Sequence, residues 1–352
     1  MRYLEQQEKT RTLPLWREAF PEDSEEFLEY YYTEKTADNR ILAEEEEGRI
    51  VSMLHRNPYP VWVGSRRWNS DYVVAVATAR DRRGRGLMRR LLGSALTDMF
   101  QEGMEFCFLM PADRRLYEPF GFAYVYDQPH LALTPEAERR LRRCVADDRT
   151  LPAAAAYMEE WLQNRREVRT VRDEAYVRRL AAELESENGC LELLLEPEKD
   201  GNAGFLAGRI AGVRGIQDRK QRFLLCGEEN CEEAEPAAPA IMARIVCLER
   251  FLKAVRLKEE SRLPGLAVRL TVMDPICAGN QGTFLWELDK ETSRITRLPD
   301  GEGPGSGQEI PRLEVQIGAL TGWLFGYGEA PAAEPWIQEI RVLQGVFLDE
   351  EV

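Results

Sequence analysis

Residues 72–92 read YVVAVATARDRRGRGLMRRLL. An apolar run, residues 72–78, leads into the basic glycine turn Arg82-Arg83-Gly84-Arg85-Gly86, and an amphipathic helix pattern follows from Leu87. Strand, glycine turn and helix start together make an anion site from backbone alone. The free amides of the turn and the positive end of the helix point at one spot. Gly84 and Gly86 let a pyrophosphate approach the main chain closely, and Arg82, Arg83 and Arg85 add positive charge beside it. The turn lacks the Lys-Ser/Thr pair of a Walker A loop and is not a dinucleotide-binding GxGxxG. By itself it reads equally as a solvated basic turn ahead of an ordinary core helix.

Other residues with reactive side chains are scattered. The two histidines, His55 and His130, have no Ser, Cys or ligand cluster near them in sequence, so no triad and no metal site is expected. His55 precedes the turn Arg56-Asn57-Pro58-Tyr59 and is a candidate wall of an acceptor cleft. Trp62 and Trp68 flank a hairpin turn at Gly64 and would suit a cationic ligand, or the core. Cys107 lies inside an apolar strand and reads as core.

The elements that must position the glycine turn follow from periodicity. Leu15, Trp16, Ala19 and Phe20 have helical spacing, and a second helix carries Phe27, Leu28, Tyr30, Tyr31 and Tyr32. Strands are expected at residues 41–43, 50–54, 72–78 and 104–110. A helix is expected from Leu87 to about Glu102, ended by Gly103. Further on, helices are expected at 135–145, 153–164, 171–187 and 241–255. Strands are expected at 191–195, 204–206, 266–272 and 283–288. Residues 227–240, rich in Glu, Pro and Ala, read as a linker, and residues 300–308 as a Gly-rich loop.

Bulk composition narrows the class. At 352 residues the chain is long enough for two or three domains, and 44% hydrophobic with 31% charged residues reads as globular. Seven scattered cysteines without a CxxC argue against a disulfide framework and fit a reducing cytoplasm. No apolar run suggests a membrane helix and the charged N-terminus is no signal peptide. A net charge of −14 disfavours nucleic-acid partners and suits a cationic substrate.

Strand, then R-G-x-G-L, then helix resembles the acetyl-CoA pyrophosphate motif of the GNAT N-acetyltransferases; Asp81 stands where that motif often has Gln or Arg. A second block, FCFLMPADRRLYEPFGFAYVYD (residues 106–127), resembles the strand, splayed loop and Tyr-x-x-Phe-Gly-Phe helix of the same superfamily. LAVRLTVMDP (266–275), GTFLWEL (282–288) and IGALTGWLFGYGEA (317–330) extend the likeness to the Eis-like acetyltransferases, relatives of the enhanced intracellular survival protein. The resemblance implies an α/β (α+β) architecture. A GNAT acetyl-CoA-binding domain would span 1–128, a degenerate GNAT-like domain 129–236, and a sterol-carrier-like domain 237–352. It implies that Val76, Ala77 and Thr78 pair along the pantetheine arm of acetyl-CoA. Gly84, Arg85, Gly86, Leu87, Met88 and Arg89 would hold the pyrophosphate, and Ala112 and Asp113 would meet the co-substrate at the splay. Tyr117 takes the family's proton-donor position, and the Val352 carboxylate takes that of the general base, with Glu350 and Glu351 as neighbouring candidates. The expected acceptor is a primary amine on a cationic small molecule of aminoglycoside kind or on a lysine side chain, and self-association is expected from the family.

The chemistry is consistent with these roles. An amine attacks only when neutral, so a base must take its proton, and the departing thiolate needs a proton or a hydrogen bond. A phenol stays protonated at neutral pH, and a free α-carboxylate would need burial to become an efficient base. The segment 345–352 is half apolar, which suits docking in a cleft. The competing expectation is a non-catalytic protein that holds an apolar ligand against Leu320, Trp323, Leu324, Phe325 and Tyr327 of the C-terminal domain.

Overall fold

The computed structural model describes residues 1–197, 208–299 and 310–350. The strand expected at 204–206, the Gly-rich loop at 300–308, Glu351 and Val352 lie outside the described residues.

The first sheet is built around two long strands, Arg49–Val63 and Arg66–Thr78, joined by a tight turn at Gly64. In sheet order it runs Arg2–Tyr3, Arg40–Glu46, Arg49–Val63, Arg66–Thr78, Phe106–Leu109, Cys231–Ile245, Ala123–Leu133. Side chains alternate across a strand, so neighbouring residues feed opposite faces. Leu42, Leu54 and Val73 pack with Leu91, Leu92, Leu96 and Met99 of the helix Leu87–Glu102. Ile41, Met53, Ala75 and Ala77 meet Trp16, Phe27 and Tyr31 from the helices Leu13–Ala19 and Glu25–Glu34 on the other face. Covering both faces explains why Arg49–Val63 is buried almost without interruption.

The strand Cys231–Ile245 corrects two expectations. Residues 227–240 are largely strand rather than linker, and Ile241 to Ile245 are strand rather than the start of a helix, which shrinks to Leu248–Leu252. The Glu, Pro and Ala stretch has no apolar face to advertise, because residues 232–239 are exposed. Its ladder runs along Ala123–Leu133, from Cys231 opposite Leu133 to Ala243 opposite Ala123. The other end, Met242 to Ile245, also pairs with Phe106–Leu109 and is fully buried, Arg244 included. The expected boundary between 236 and 237 thus falls inside a continuous strand that completes the first sheet. The expected helix at 135–145 is also shorter: Pro135–Arg140 is helix and Arg142–Val145 a strand.

A second, antiparallel sheet has the order Lys220–Cys226, Ile210–Gln217, Cys190–Leu195, Arg142–Val145. Its helices Leu151–Gln163 and Glu174–Ser186 share one core with the first sheet. A third sheet, order Ser293–Arg297, Gly282–Leu288, Leu266–Met273, Arg312–Gln316, packs with the helix Ile317–Leu324. The chain end returns to the first sheet. Val346–Phe347 pairs with Val168–Thr170, which in turn pairs with the far end of Arg49–Val63.

Candidate active site

Eight of the residues expected to hold the co-substrate line one cavity of about 630 Å³: Val76, Ala77, Thr78, Gly84, Gly86, Leu87, Met88 and Arg89. The floor is the end of the strand Arg66–Thr78, and one wall is the start of the helix Leu87–Glu102. That helix has Gly86 at its N-cap, in the left-handed region at φ 72°, and no side chain caps it. First-turn amides of a helix have no partner within it. A Ser or Asp at this position would consume one of them, so the glycine leaves them open to an anion. Gly84 is likewise left-handed at φ 77°, and a Cβ on either glycine would meet nothing within 4 Å. The glycines serve the backbone turn and leave open the space a pyrophosphate would take.

The arginines are not all free charge. Arg82 is held by Glu46 and Asp81, each at 2.7 Å, and Asp81 also pairs with Arg49. Asp81 therefore orders the turn through ion pairs. Arg83 donates to the Thr78 carbonyl at 3.2 Å, and Arg89 stands 5.5 Å over the Phe120 ring. Arg85 is exposed and not part of the cavity wall; its carbonyl accepts from Arg90. Ala112 and Asp113 also lie off the wall. Ala112 is exposed, and Asp113 caps the turn Arg114–Leu116 and chelates Arg115 at 2.6 Å. Four wall residues escaped the sequence reading: Ala19, Phe20, Leu116 and Phe120. Leu116 and Phe120 flank Tyr117 in the recognised block and could have been found there. Ala19 and Phe20 arrive from a helix far away in sequence, without local signal.

Beside this cavity the sheet opens. Arg66–Thr78 and Phe106–Leu109 are parallel and share a single ladder pair, Tyr72 with Phe108. Past that pair the strands part. Opposite Leu54 the strand Arg66–Thr78 bulges, with Ala75 at φ 50°. A bulge re-aims the groups around it, and this one lies at the parting. Tyr117 follows the turn Arg114–Leu116, its ring buried and 6.0 Å from Phe122. Burial pushes its phenol up to about 12, so it is protonated at neutral pH. Among the described residues its hydroxyl has no hydrogen-bond partner. It is not itself in the cavity wall, although both its flanking wall residues are.

The chain end reaches a second cavity, of about 250 Å³, under the same sheet. Val346, Phe347 and Leu348 are buried, and Phe347 meets Tyr126 edge to face, with ring centroids 5.6 Å apart. Glu350 is buried too, accepting from Thr170 at 2.6 Å and Tyr176 at 2.7 Å and pairing with Arg172 at 3.0 Å. Burial raises its carboxyl pKa, against the pull of Arg172. Fully engaged in this way, Glu350 anchors the tail. The cavity it borders is shared by Lys35, Asn57, Tyr59 and Glu183. Lys35 pairs with Glu183 at 3.0 Å and donates to the Tyr59 hydroxyl at 2.9 Å. Burial opposes its charge, yet Glu183 holds its pKa well above the ordinary value. The amide nitrogen of Asn57 is buried there without a partner among the described residues.

Other candidates resolve differently. His55 does not line a cleft. It is fully buried, 5.2 Å from Trp16 and bonded to Tyr31 at 3.1 Å, on the face of Arg49–Val63 that the helices Leu13–Ala19 and Glu25–Glu34 cover. Trp68 packs on Phe251, and Trp62 lies at another cavity, beside Arg169. Cys107 is core, its thiol pushed up to about 12 by burial. Leu320, Trp323, Leu324 and Phe325 are all buried packing residues, and Tyr327 donates to Asp127. Among the described residues no helix is long and apolar enough to cross a membrane. No cluster of three or more His, Cys, Asp or Glu there could hold a metal ion.

Comparison with known proteins agrees with this geometry. Residues 1–125 match the acetyltransferase (GNAT) domain and residues 248–340 the sterol carrier protein domain. No curated protein sequence matches the chain. Among solved structures it is similar to a probable N-acyltransferase of Enterococcus faecalis, at TM-score 0.73 and 13% identity, over 97% of this chain and 93% of that one. It is also similar to a GCN5-related N-acetyltransferase of Anabaena variabilis, at 0.67 and 16%, over 97% and 94%. Eis1 of Mycobacterium abscessus aligns at 0.68 and 13%, over 100% and 99%. At such identities these likenesses show the fold. The match gives residues 1–125 a GNAT acetyltransferase domain, which supports N-acetyltransferase activity, and that domain family uses acetyl-CoA.

Proposed function

We propose that the chain transfers an acetyl group directly from acetyl-CoA to a primary amine on a cationic small molecule or a lysine side chain. The observation that carries this is the glycine-capped helix start opening on the same cavity as the strand end 76–78. Acetyl-CoA supplies the activated thioester; the chain holds it and moves protons. The open amides at 86–89 take the pyrophosphate, and the free edge of residues 76–78 pairs with the pantetheine arm. The parted strands aim the thioester through the sheet toward the face where the tail docks. As the amine nitrogen bonds to the carbonyl carbon and the carbon–sulfur bond breaks, the Tyr117 hydroxyl gives the sulfur a proton. A carboxylate beyond Glu350 takes the proton from the amine; Val352 is the candidate the resemblance supplies. Two substrates held in line need no protein nucleophile.

The test is CoA release by purified protein with acetyl-CoA and a panel of amines. Turnover should appear with a cationic amine, and Tyr117→Phe should lower kcat by roughly 100-fold or more with the acetyl-CoA dissociation constant unchanged. Removal of residues 351–352 should do the same. No CoA release with any amine, or loss of acetyl-CoA binding in Tyr117→Phe, refutes the assigned roles.

A further inference from the structure

A third cavity, of about 860 Å³, lies at the seam of all three parts of the chain. The Gly64 hairpin forms one wall, with Trp62. The end of the helix Leu151–Gln163 and the residues after it form another, with Arg165, Arg166 and Arg169. The approach to the tail closes it, with Arg341 and Gly345. Four guanidinium groups meet two carboxylates here, Glu159 and Glu167. Both carboxylates are taken. Arg341 grips Glu167 through two bonds, at 2.7 and 3.0 Å, and Arg169 pairs with Glu159 at 3.1 Å. Arg165 and Arg166 form no ion pair with any described residue; their guanidinium groups stand over the rings of Trp161 and Phe347. The cavity is thus cationic in a chain whose net charge is −14.

Its walls also hold unspent donors. The indole nitrogen of Trp62 and the Nε atoms of Arg166 and Arg169 are buried without a hydrogen-bond partner among the described residues, and Arg169 is 5% exposed. Buried donors are rarely left unpaired. Surplus guanidinium charge beside unpaired N–H groups is the chemistry that receives an oxyanion.

We propose that this seam cavity is a binding site for a small oxyanion, a phosphate monoester or a polycarboxylate, held chiefly by Arg165 and Arg166. The site is separate from the co-substrate cavity at residues 76–89 and does not depend on the transfer reaction. It adjoins the tail: Gly345, left-handed at φ 60°, passes so close to Arg165 that a Cβ would lie 3.0 Å from its carbonyl oxygen. The next residues are the docked strand Val346–Phe347. An anion that fixes Arg165 and Arg166 therefore also braces the start of the tail.

The experiment titrates the full chain with inorganic phosphate, with citrate, and with sodium chloride at matched ionic strength, read by calorimetry and by the thermal unfolding midpoint. Saturable binding of phosphate or citrate is expected, with none for chloride, together with slower amide exchange at residues 346–348. Phosphate alone binding identifies a phosphate ester as the ligand class; citrate alone identifies a polycarboxylate. Arg165→Gln with Arg166→Gln should weaken binding at least tenfold while acetyl-CoA binding stays intact. Arg165→Gln alone, at an exposed side chain, keeps the test open should the double variant fold poorly. No saturable binding of either anion, a shift reproduced by chloride, or equal binding in the variants overturns the proposal.

Discussion

His55→Gln separates a core histidine from a cleft histidine, and its size can be worked from the structure. The ring is enclosed by Trp16, Tyr31 and Tyr32, and Lys9 lies near enough to disfavour a second positive charge. Burial first, then Lys9, brings its pKa down from 6.5 to about 3. Between those values the unfolded chain binds a proton that the folded chain refuses. The stability this histidine allows is therefore complete above pH 6.5 and is lost as pH falls toward 3. At about 1.4 kcal/mol per unit the whole window is worth roughly 5 kcal/mol, and the stretch from pH 6.5 to 5 roughly 2 kcal/mol. Glu187, raised by burial to about 7, acts with the opposite sign over part of the same range, so the comparison must be between variant and wild type. Gln keeps a partner for Tyr31 and does not titrate. Denaturant unfolding at pH 6.5 and 5 should show wild type losing roughly 2 kcal/mol more than His55→Gln. With only two histidines in the chain, NMR titration can follow each ring, and one should remain neutral down to pH 5. Equal pH slopes in the two proteins, or a transfer-rate profile with a pKa near 6.5 that His55→Gln abolishes, would refute the placement.

Three further outcomes follow. Arg244 and Asp274 are both fully buried and paired at 2.6 Å, with Arg244 also donating to the Phe120 carbonyl beside Tyr117; Arg244→Met should cost about 3–5 kcal/mol in thermal or denaturant unfolding. Glu350→Gln removes the charge that Arg172 meets and should weaken tail docking by roughly 1.5–3 kcal/mol, read as faster amide exchange at 346–348 and slower acetyl transfer with unchanged acetyl-CoA affinity. Gly86→Val forces a branched residue into φ 72°; it should abolish acetyl-CoA binding while lowering stability by only roughly 1–2 kcal/mol, because a Cβ there meets no atom within 4 Å.

What was legible in the sequence was what is local. The glycine turn and its helix could be read because positive φ and helix amphipathicity are written in consecutive residues, and Gly86 to Gly103 bracket that helix as the pattern indicated. The apolar half of the chain end likewise announced docking, and residues 346–348 are buried. What was hidden is set by distant partners. The strand Cys231–Ile245 gets its order from Ala123–Leu133, about a hundred residues earlier, and its exposed half carries no alternating pattern. The bulge at Ala75 is invisible in an all-apolar run, and His55 is buried by Trp16 and Tyr31, which stand two dozen or more residues earlier in the chain. Arg85, Ala112 and Asp113 belong to the recognised blocks yet stand off the cavity wall. Motif membership fixes the backbone path of a loop more firmly than the direction of each side chain.

The central claim is that acetyl-CoA occupies the cavity between the strand end 76–78 and the glycine-capped helix start. Hydrogen–deuterium exchange of the full chain with and without acetyl-CoA tests it most directly. Slowed exchange concentrated at residues 76–78 and 83–89, lost in Gly86→Val, is the predicted result. Protection that falls elsewhere while those amides exchange as before would contradict it.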